Sequence, residues 1–391
     1  MYVTRPLSLY RKSPESLLLP PPEGPNSGYL VICDEESETT TCCGLCIDNW
    51  IRGLPFPQNK DLTVSYSIGA GKSRRTYYDH VAFIPVLNQP LASNRYYVIR
   101  QKGRHKGKAC TNSKEDDMGT CCWLPYIQDL KPRPLDPTDI NQQVEIIQKN
   151  RRGYTAIAQD GFPPLFLRRK YWTVYKRTPR NYQLDEALGL NSSLRASFPD
   201  FNFSLSNESS EAMVVGKWYC PFMFVHEEMK FKDQMKMSMF YEMTLEQRWS
   251  KIYACENIKN DRKDVVSVDV FVEREEVCVG GRKAVWERRN GIENGVMWFK
   301  SCNDMGAEQR VGLSVLIVER MKWEQERVGL VAGGKEKRVR VERREEFGGK
   351  GGWSKFGCYL LMERFVLKRI DGSVVLTYDF KHTHEIRGKW E

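Results

Sequence analysis

Residues 364–379 read Arg364-Phe365-Val366-Leu367-Lys368-Arg369-Ile370-Asp371-Gly372-Ser373-Val374-Val375-Leu376-Thr377-Tyr378-Asp379. Asp-Gly between two β-type runs is the strongest short-range signal for an antiparallel hairpin with a two-residue loop. Ile370 then faces Ser373, and every later pair keeps the same numerical sum. Leu367 with Leu376 and Phe365 with Tyr378 share one face, while Arg364 opposes Asp379 on the other. The register carries His382 and His384 to the sheet end beside Glu363.

Working outward, the period of two recurs. Val266, Val268, Val270 and Val272 alternate with Ser267, Asp269, Phe271 and Glu273, and Val339 and Val341 alternate with Arg338, Arg340 and Glu342. This is the pattern of half-buried antiparallel strands. Residues 213–225 form an apolar, aromatic, strand-like run. Between these strands the spacing becomes that of helices. Thr244 precedes Gln247 by three, the interval of a capping box, and Leu245, Trp249, Ile252 and Tyr253 fall at i, i+4, i+7 and i+8. Met235, Met239 and Met243, with Met229 before them, give a preceding helix the same rhythm. The expected fold class is therefore α+β: a β-rich, two-lobed protein whose C-terminal antiparallel sheet carries a packed helix pair.

The N-terminal half has short β-type runs at 29–33, 62–67, 81–86 and 96–100, separated by turn residues. Lys131-Pro132-Arg133-Pro134-Leu135-Asp136-Pro137 marks an extended connector. The Ser- and Asn-rich stretch 190–212 is the linker candidate, which divides the chain into an N-terminal sheet-containing domain, 1–189, and a C-terminal domain, 213–391. A chain of 391 residues exceeds the size at which one core stops growing, so two domains are expected.

Composition is globular, with 41% hydrophobic and 28% charged residues. Residues 1–212 hold 27 basic and 22 acidic side chains and residues 213–391 hold 33 and 28, so the net charge of +10 divides evenly. Nucleic-acid modules concentrate basic charge on one element, and this chain does not. No stretch has the roughly 18 uncharged apolar residues of a membrane helix, and no secretion signal is evident. The 12 cysteines are far too sparse for a disulfide scaffold and are read as thiols of an intracellular protein, cytoplasmic with the nucleus as an alternative.

Four constellations could carry chemistry. Cys43-x-x-Cys46 with Cys121-Cys122 offers four thiolates for zinc, although adjacent cysteines on a strand point to opposite faces; either Cys-Cys pair, Cys42-Cys43 or Cys121-Cys122, could instead be acylated. His382 and His384, at i and i+2, would share a strand face and could both reach one metal ion, as a metal-dependent enzyme would require. Gly69-Ala70-Gly71-Lys72-Ser73 imitates the end of a phosphate-binding loop but lacks its first glycine, and a hairpin loop is the expectation. Residues 168–180 combine basic side chains with Tyr171, Trp172 and Tyr175, which could stack on bases, although a basic edge strand has the same sequence signature. No catalytic signature of a known type is present among them.

Long strings together resemble one family: Met1-Tyr2-Val3-Thr4-Arg5-Pro6-Leu7-Ser8, Pro22-Glu23-Gly24-Pro25-Asn26-Ser27-Gly28-Tyr29, Leu54-Pro55-Phe56-Pro57-Gln58-Asn59, Asp160-Gly161-Phe162-Pro163-Pro164, Gly216-Lys217-Trp218-Tyr219-Cys220-Pro221-Phe222 and Leu376-Thr377-Tyr378-Asp379-Phe380-Lys381-His382-Thr383-His384. The chain is similar to a plant-specific family of uncharacterised proteins, domain of unknown function 1262. The resemblance implies an intracellular plant protein and assigns no activity, cofactor or site residue. The functional expectation is a non-enzymatic binding or adaptor protein with a protein partner. The alternatives are the metal-dependent enzyme at His382 and His384 and nucleic-acid binding through 168–180.

Overall fold

The computed structural model describes residues 1–41, 46–69, 71–121, 124–257, 264–287, 295–302, 306–329, 338–349 and 352–391. Among these, the largest unit is a mixed sheet of twelve strands. Its centre is three long neighbours, Phe240–Glu256, Lys355–Arg369 and Val374–Trp390, all antiparallel. On one side Met213–Pro221, Tyr2–Pro6 and Gly28–Ile32 extend it, the last two pairing in parallel, and the short Gly189–Leu190 also pairs with Met213–Pro221. On the other follow Glu275–Val279, Arg282–Trp286, Val296–Cys302, Glu308–Ser314 and Val225–Glu227.

The expected helix pair is not there, and the α+β assignment is corrected to a β-rich fold. Only Phe231–Met237 is helical in that region, and Phe240–Glu256 is a seventeen-residue central strand. The physical reason is that a spacing of four belongs to both periods. Leu245 and Trp249 lie on one side of a helix, but they also lie on one side of a strand, together with Tyr241, Met243 and Gln247. All five are buried. Thr244 and Gln247 have capping-box spacing, yet Thr244 pairs with Lys217 and Val366 in neighbouring strands and Gln247 with Glu363. Ile252, read as part of the apolar helix stripe, is the extra residue of a bulge between Lys251 and Tyr253.

The hairpin keeps its expected pairs through a different turn. The Arg369 amide donates to Ser373 O and the Gly372 amide to Arg369 O, both at 2.9 Å, so the loop is Ile370-Asp371-Gly372, one residue longer than expected. Gly372 takes φ +86°, the left-handed conformation that favours glycine at the end of such a turn. A one-residue shift between Leu367/Leu376 and Lys368/Val374 then offsets the longer loop, and Phe365 faces Tyr378 and Arg364 faces Asp379 as the simple turn requires. Further along, Leu361 pairs with His382 but Leu360 pairs with Ile386. Thr383, His384 and Glu385 therefore stand out of the ladder as a wide bulge.

The six-stranded antiparallel sheet runs Tyr154–Ile157, Gln143–Gln148, Arg95–Arg100, Arg75–Pro85, Asp61–Ile68 and Thr173–Arg177. Its middle strands are buried on both faces. Val81, Phe83, Tyr96 and Val98 pack into a core of their own with Phe56 and Trp172, while Ala82, Ile84, Tyr97 and Ile99 join the core of the large sheet with Trp218, Phe224 and Phe240. Val265–Glu273 and Arg338–Glu346 pair only with each other, Val270 opposite Val341 and Val272 opposite Val339. Residues 190–212 contribute the short helix Ser192–Ser197 and then Phe198, Phe201, Phe203 and Leu205, packed on Trp249, Tyr359 and Leu361. Among the described residues no helix is long and apolar enough to cross a membrane.

Candidate functional site

One row of the large sheet breaks its apolar pattern. Along Lys355–Arg369, Leu361, Phe365 and Leu367 are buried on one face, and between them is Glu363, 1% exposed, with Gln247 beside it on the next strand. Two helices cover this end. Ser192–Ser197 supplies Arg195, and Val315–Glu326 supplies Glu324 and Gln325. Asn191 caps the first of these, its side chain accepting from the Leu194 amide at 3.0 Å, which fixes the turn from which Arg195 projects.

Glu363 is held from four sides. Oε1 accepts from Arg195 Nε and from Gln247 Nε2, each at 2.7 Å. Oε2 accepts from Arg195 Nη2 and, at 2.7 Å, from Gln325 Nε2. His382 Nε2 stands 3.7 Å from Oε2, beyond hydrogen-bond length, and acts on it by charge when protonated. Burial alone would raise the Glu363 pKa, but the opposing pull of His382 and Arg195 wins and holds it at about 2. Arg195 also donates through Nη2 to Glu324 O at 3.0 Å, and Arg320 donates to Glu324 Oε1 at 2.6 Å. Burial raises the Glu324 carboxyl against the pull of Arg320, Arg195 and Arg327.

Above this network opens a cleft of about 300 Å³. Its polar lining includes Ser192, Arg195, Gln247, Glu363, His382 and Arg327, its apolar lining Leu190, Phe198, Val328 and Leu361, and the bulge brings His384 and Glu385 to it. Three residues of this lining carry a buried polar atom that has no hydrogen-bond partner among the described residues: Arg195 Nη1, which stands 3.5 Å from Glu324 Oε2, Gln247 Oε1 and His382 Nε2. Buried polar groups left unpaired are costly, and such a concentration in a cleft lining marks a place where a bound group can pair with them.

The structure places the other candidates as follows. The His382 and His384 rings meet edge to face at 5.5 Å, with His382 buried and His384 exposed. Among the described residues no three His, Cys, Asp or Glu side chains are grouped to hold a metal ion. Cys43 and Cys122 lie outside the described residues, and of Cys46 and Cys121 only the backbone is described, in Cys46–Ile47 and Met118–Cys121. Seven other cysteines are free thiols. Gly69 and Gly71–Ser73 lie between Asp61–Ile68 and Arg75–Pro85, which pair directly, Ile68 opposite Arg75; Ala70 is outside the described residues. In 168–180, Trp172 is fully buried with its Nε1 donating to Leu167 O at 2.8 Å, Tyr175 meets Trp50 at 3.6 Å, and Tyr171 is 60% exposed.

Comparison with known proteins bears on the chain's N-terminal part. Residues 23–123 match one family model, "Protein of unknown function (DUF1262)". The match supports an uncharacterised domain family over that segment, which includes Gly28–Ile32 and three strands of the six-stranded sheet, Asp61–Ile68, Arg75–Pro85 and Arg95–Arg100, but none of the residues that hold Glu363. No curated protein matches. A solved structure titled "Crystal structure of Cry35Ab1" is similar with a TM-score of 0.45 and 10% identity, over 86% of this chain and 90% of that one.

Proposed function

We propose that this chain is a non-enzymatic binding protein of the plant cytoplasm and that the cleft above Glu363 seats a small polar ligand. The observation that carries the reading is three buried polar atoms without a hydrogen-bond partner among the described residues, Arg195 Nη1, Gln247 Oε1 and His382 Nε2, on residues that line one 300 Å³ cleft. They comprise donors and acceptors together, which suits hydroxyl or amide groups better than a bare anion or cation. Leu190, Phe198, Val328 and Leu361 suit an apolar portion of the same ligand, the usual composition of small-molecule sites. A catalytic role for Glu363 is disfavoured by its chemistry. A carboxylate with a pKa of about 2, clamped by an arginine and two glutamines, is a poor general base near neutral pH.

The test is a fragment screen of polyhydroxylated and amide-bearing compounds by ligand-observed NMR, with wild type and a His384→Trp variant. His384 is exposed at the cleft, so the larger ring narrows the opening without entering the core. Binding to wild type that the variant loses is expected. Hits indifferent to the variant, or turnover of any hit, would sink the reading.

A further inference from the structure

A second cleft, of about 450 Å³, lies at the far edge of the six-stranded sheet between Thr173–Arg177 and the N-terminal segment. Its charged lining is all of one sign: Arg11, Arg52, Arg151 and Lys176. Lys176 is the unusual member. It follows Val174 on the inward face of its strand and is only 6% exposed, yet among the described residues its ammonium has one hydrogen-bond partner, the Cys33 thiol, with Nζ 3.5 Å from Sγ, and forms no ion pair. Lysines are rarely buried to this extent unless a counter-charge accompanies them, because an ammonium taken from water needs compensation.

The neighbouring charges do not supply it. Asp48 shares a neighbouring hollow with Lys176, but it is engaged by Arg52 Nε at 2.6 Å and faces Arg152 at 4.0 Å. Arg11 donates to the Ser37 carbonyl, and neither it nor Arg151 forms an ion pair among the described residues. Three cations in this lining, Arg11, Arg151 and Lys176, are thus without a carboxylate. The same lining has an apolar part, Leu7, Ile51, Leu54 and Trp50, alongside Tyr10 and Thr39.

We propose that this cleft is a binding site for a phosphate monoester with an apolar or aromatic body, its phosphoryl group meeting Lys176 and Arg151 and its body lying against Trp50 and Leu54. A phosphoryl group brings close to two negative charges and three strong acceptor oxygens, enough to compensate the buried Lys176 ammonium and to engage the exposed Arg151 and Arg11 beside it. Arginine and lysine are the side chains that hold phosphate in this way. The proposal is independent of the first cleft, which shares no residue with this one.

The experiment titrates inorganic phosphate and phenyl phosphate against the full chain and follows the thermal midpoint and tryptophan fluorescence, with sodium chloride at matched ionic strength as control. A saturable rise of the midpoint is expected for both, with phenyl phosphate effective at lower concentration and chloride without effect. In Lys176→Met, which keeps the stem and removes the charge, the unliganded protein should be as stable as wild type or more so, because a buried uncompensated charge is gone. Its affinity for phenyl phosphate should fall about tenfold or more. Should that variant fail to fold, Arg151→Ala at an exposed position provides the same reading, with affinity falling several-fold. His384→Trp, in the first cleft, should respond as wild type. Absence of a saturable response in wild type, an equal response to chloride, or an unchanged response in Lys176→Met or Arg151→Ala would overturn the proposal.

Discussion

Glu363 makes the sheet end depend on acid. Its pKa is about 2 in the folded protein against 4.5 for an unburied glutamate, so folding favours the ionised form. The stabilisation is present in full above the unfolded value and is lost as pH falls from about 4.5 through about 2. At about 1.36 kcal/mol per pH unit the difference is worth roughly 3 kcal/mol. Urea unfolding of wild type is expected to show that loss below pH 4.5. In Glu363→Gln that limb should be shallower by this amount, the share of other depressed carboxylates such as Asp48 remaining, and neutral stability should be lower by about 3–5 kcal/mol, because the buried Arg195 loses its two-point counter-charge and keeps only Glu324. A variant whose acid limb is as steep as that of wild type would place the whole of it at other carboxylates. Part of this site was readable from residue order: the alternation Leu361, Glu363, Phe365, Leu367 puts a charge in a row of core positions, and the hairpin register pointed to the same end. Arg195 was not readable. It lies 168 residues from Glu363 in a Ser- and Asn-rich stretch whose local pattern gives no sign of burial.

At the scale of elements, strands with residues alternating by two were legible, and those read at intervals of four were not. The segment 240–256 satisfies both periods at Leu245 and Trp249, and only Met243 and Gln247, two residues away, separate them. Val315–Glu326, the longest helix described, drew no assignment from the sequence. It opens with Val315-Leu316-Ile317-Val318, which reads as a strand, and its buried stripe mixes Ile317 and Met321 with Arg320, Glu324 and Gln325. A search for apolar periodicity passes over a helix whose inner face carries an ionic network. The strand assignment of Thr244 has a direct consequence. Its Oγ1 is buried without a partner, so Thr244→Val keeps the shape, removes a costly hydroxyl and suits a strand. The thermal midpoint should stay the same or rise. A helix cap at that position would instead lose about 1 kcal/mol, so a lowered midpoint would argue for the helix.

At the scale of the molecule, the two sheets share a core rather than merely touching. Ala82, Ile84, Tyr97 and Ile99 sit with Tyr2, Trp218, Phe224 and Phe240, Tyr2 Oη donates to Pro85 O at 2.8 Å, and Tyr182 Oη donates to Gln58 O at 3.1 Å while its ring lies 5.4 Å from Phe240. Strands buried on both faces read as continuous apolar runs, which is why 81–86 was recognisable as a strand although its partners on the second face were not. A residue in the shared core should therefore report on both sheets. Ile84→Ala removes a fully buried side chain and is expected to cost about 2–5 kcal/mol. Because Ile84 touches the common core, the loss should reach amides of Arg95–Arg100 and of Phe240–Glu256 together in native-state hydrogen exchange, with a single urea transition by fluorescence and circular dichroism. If exchange accelerated in Arg95–Arg100 while Phe240–Glu256 kept its wild-type protection, the sheets would be separate cooperative units, and the shared core would be an interface between two folded bodies instead of the centre of one.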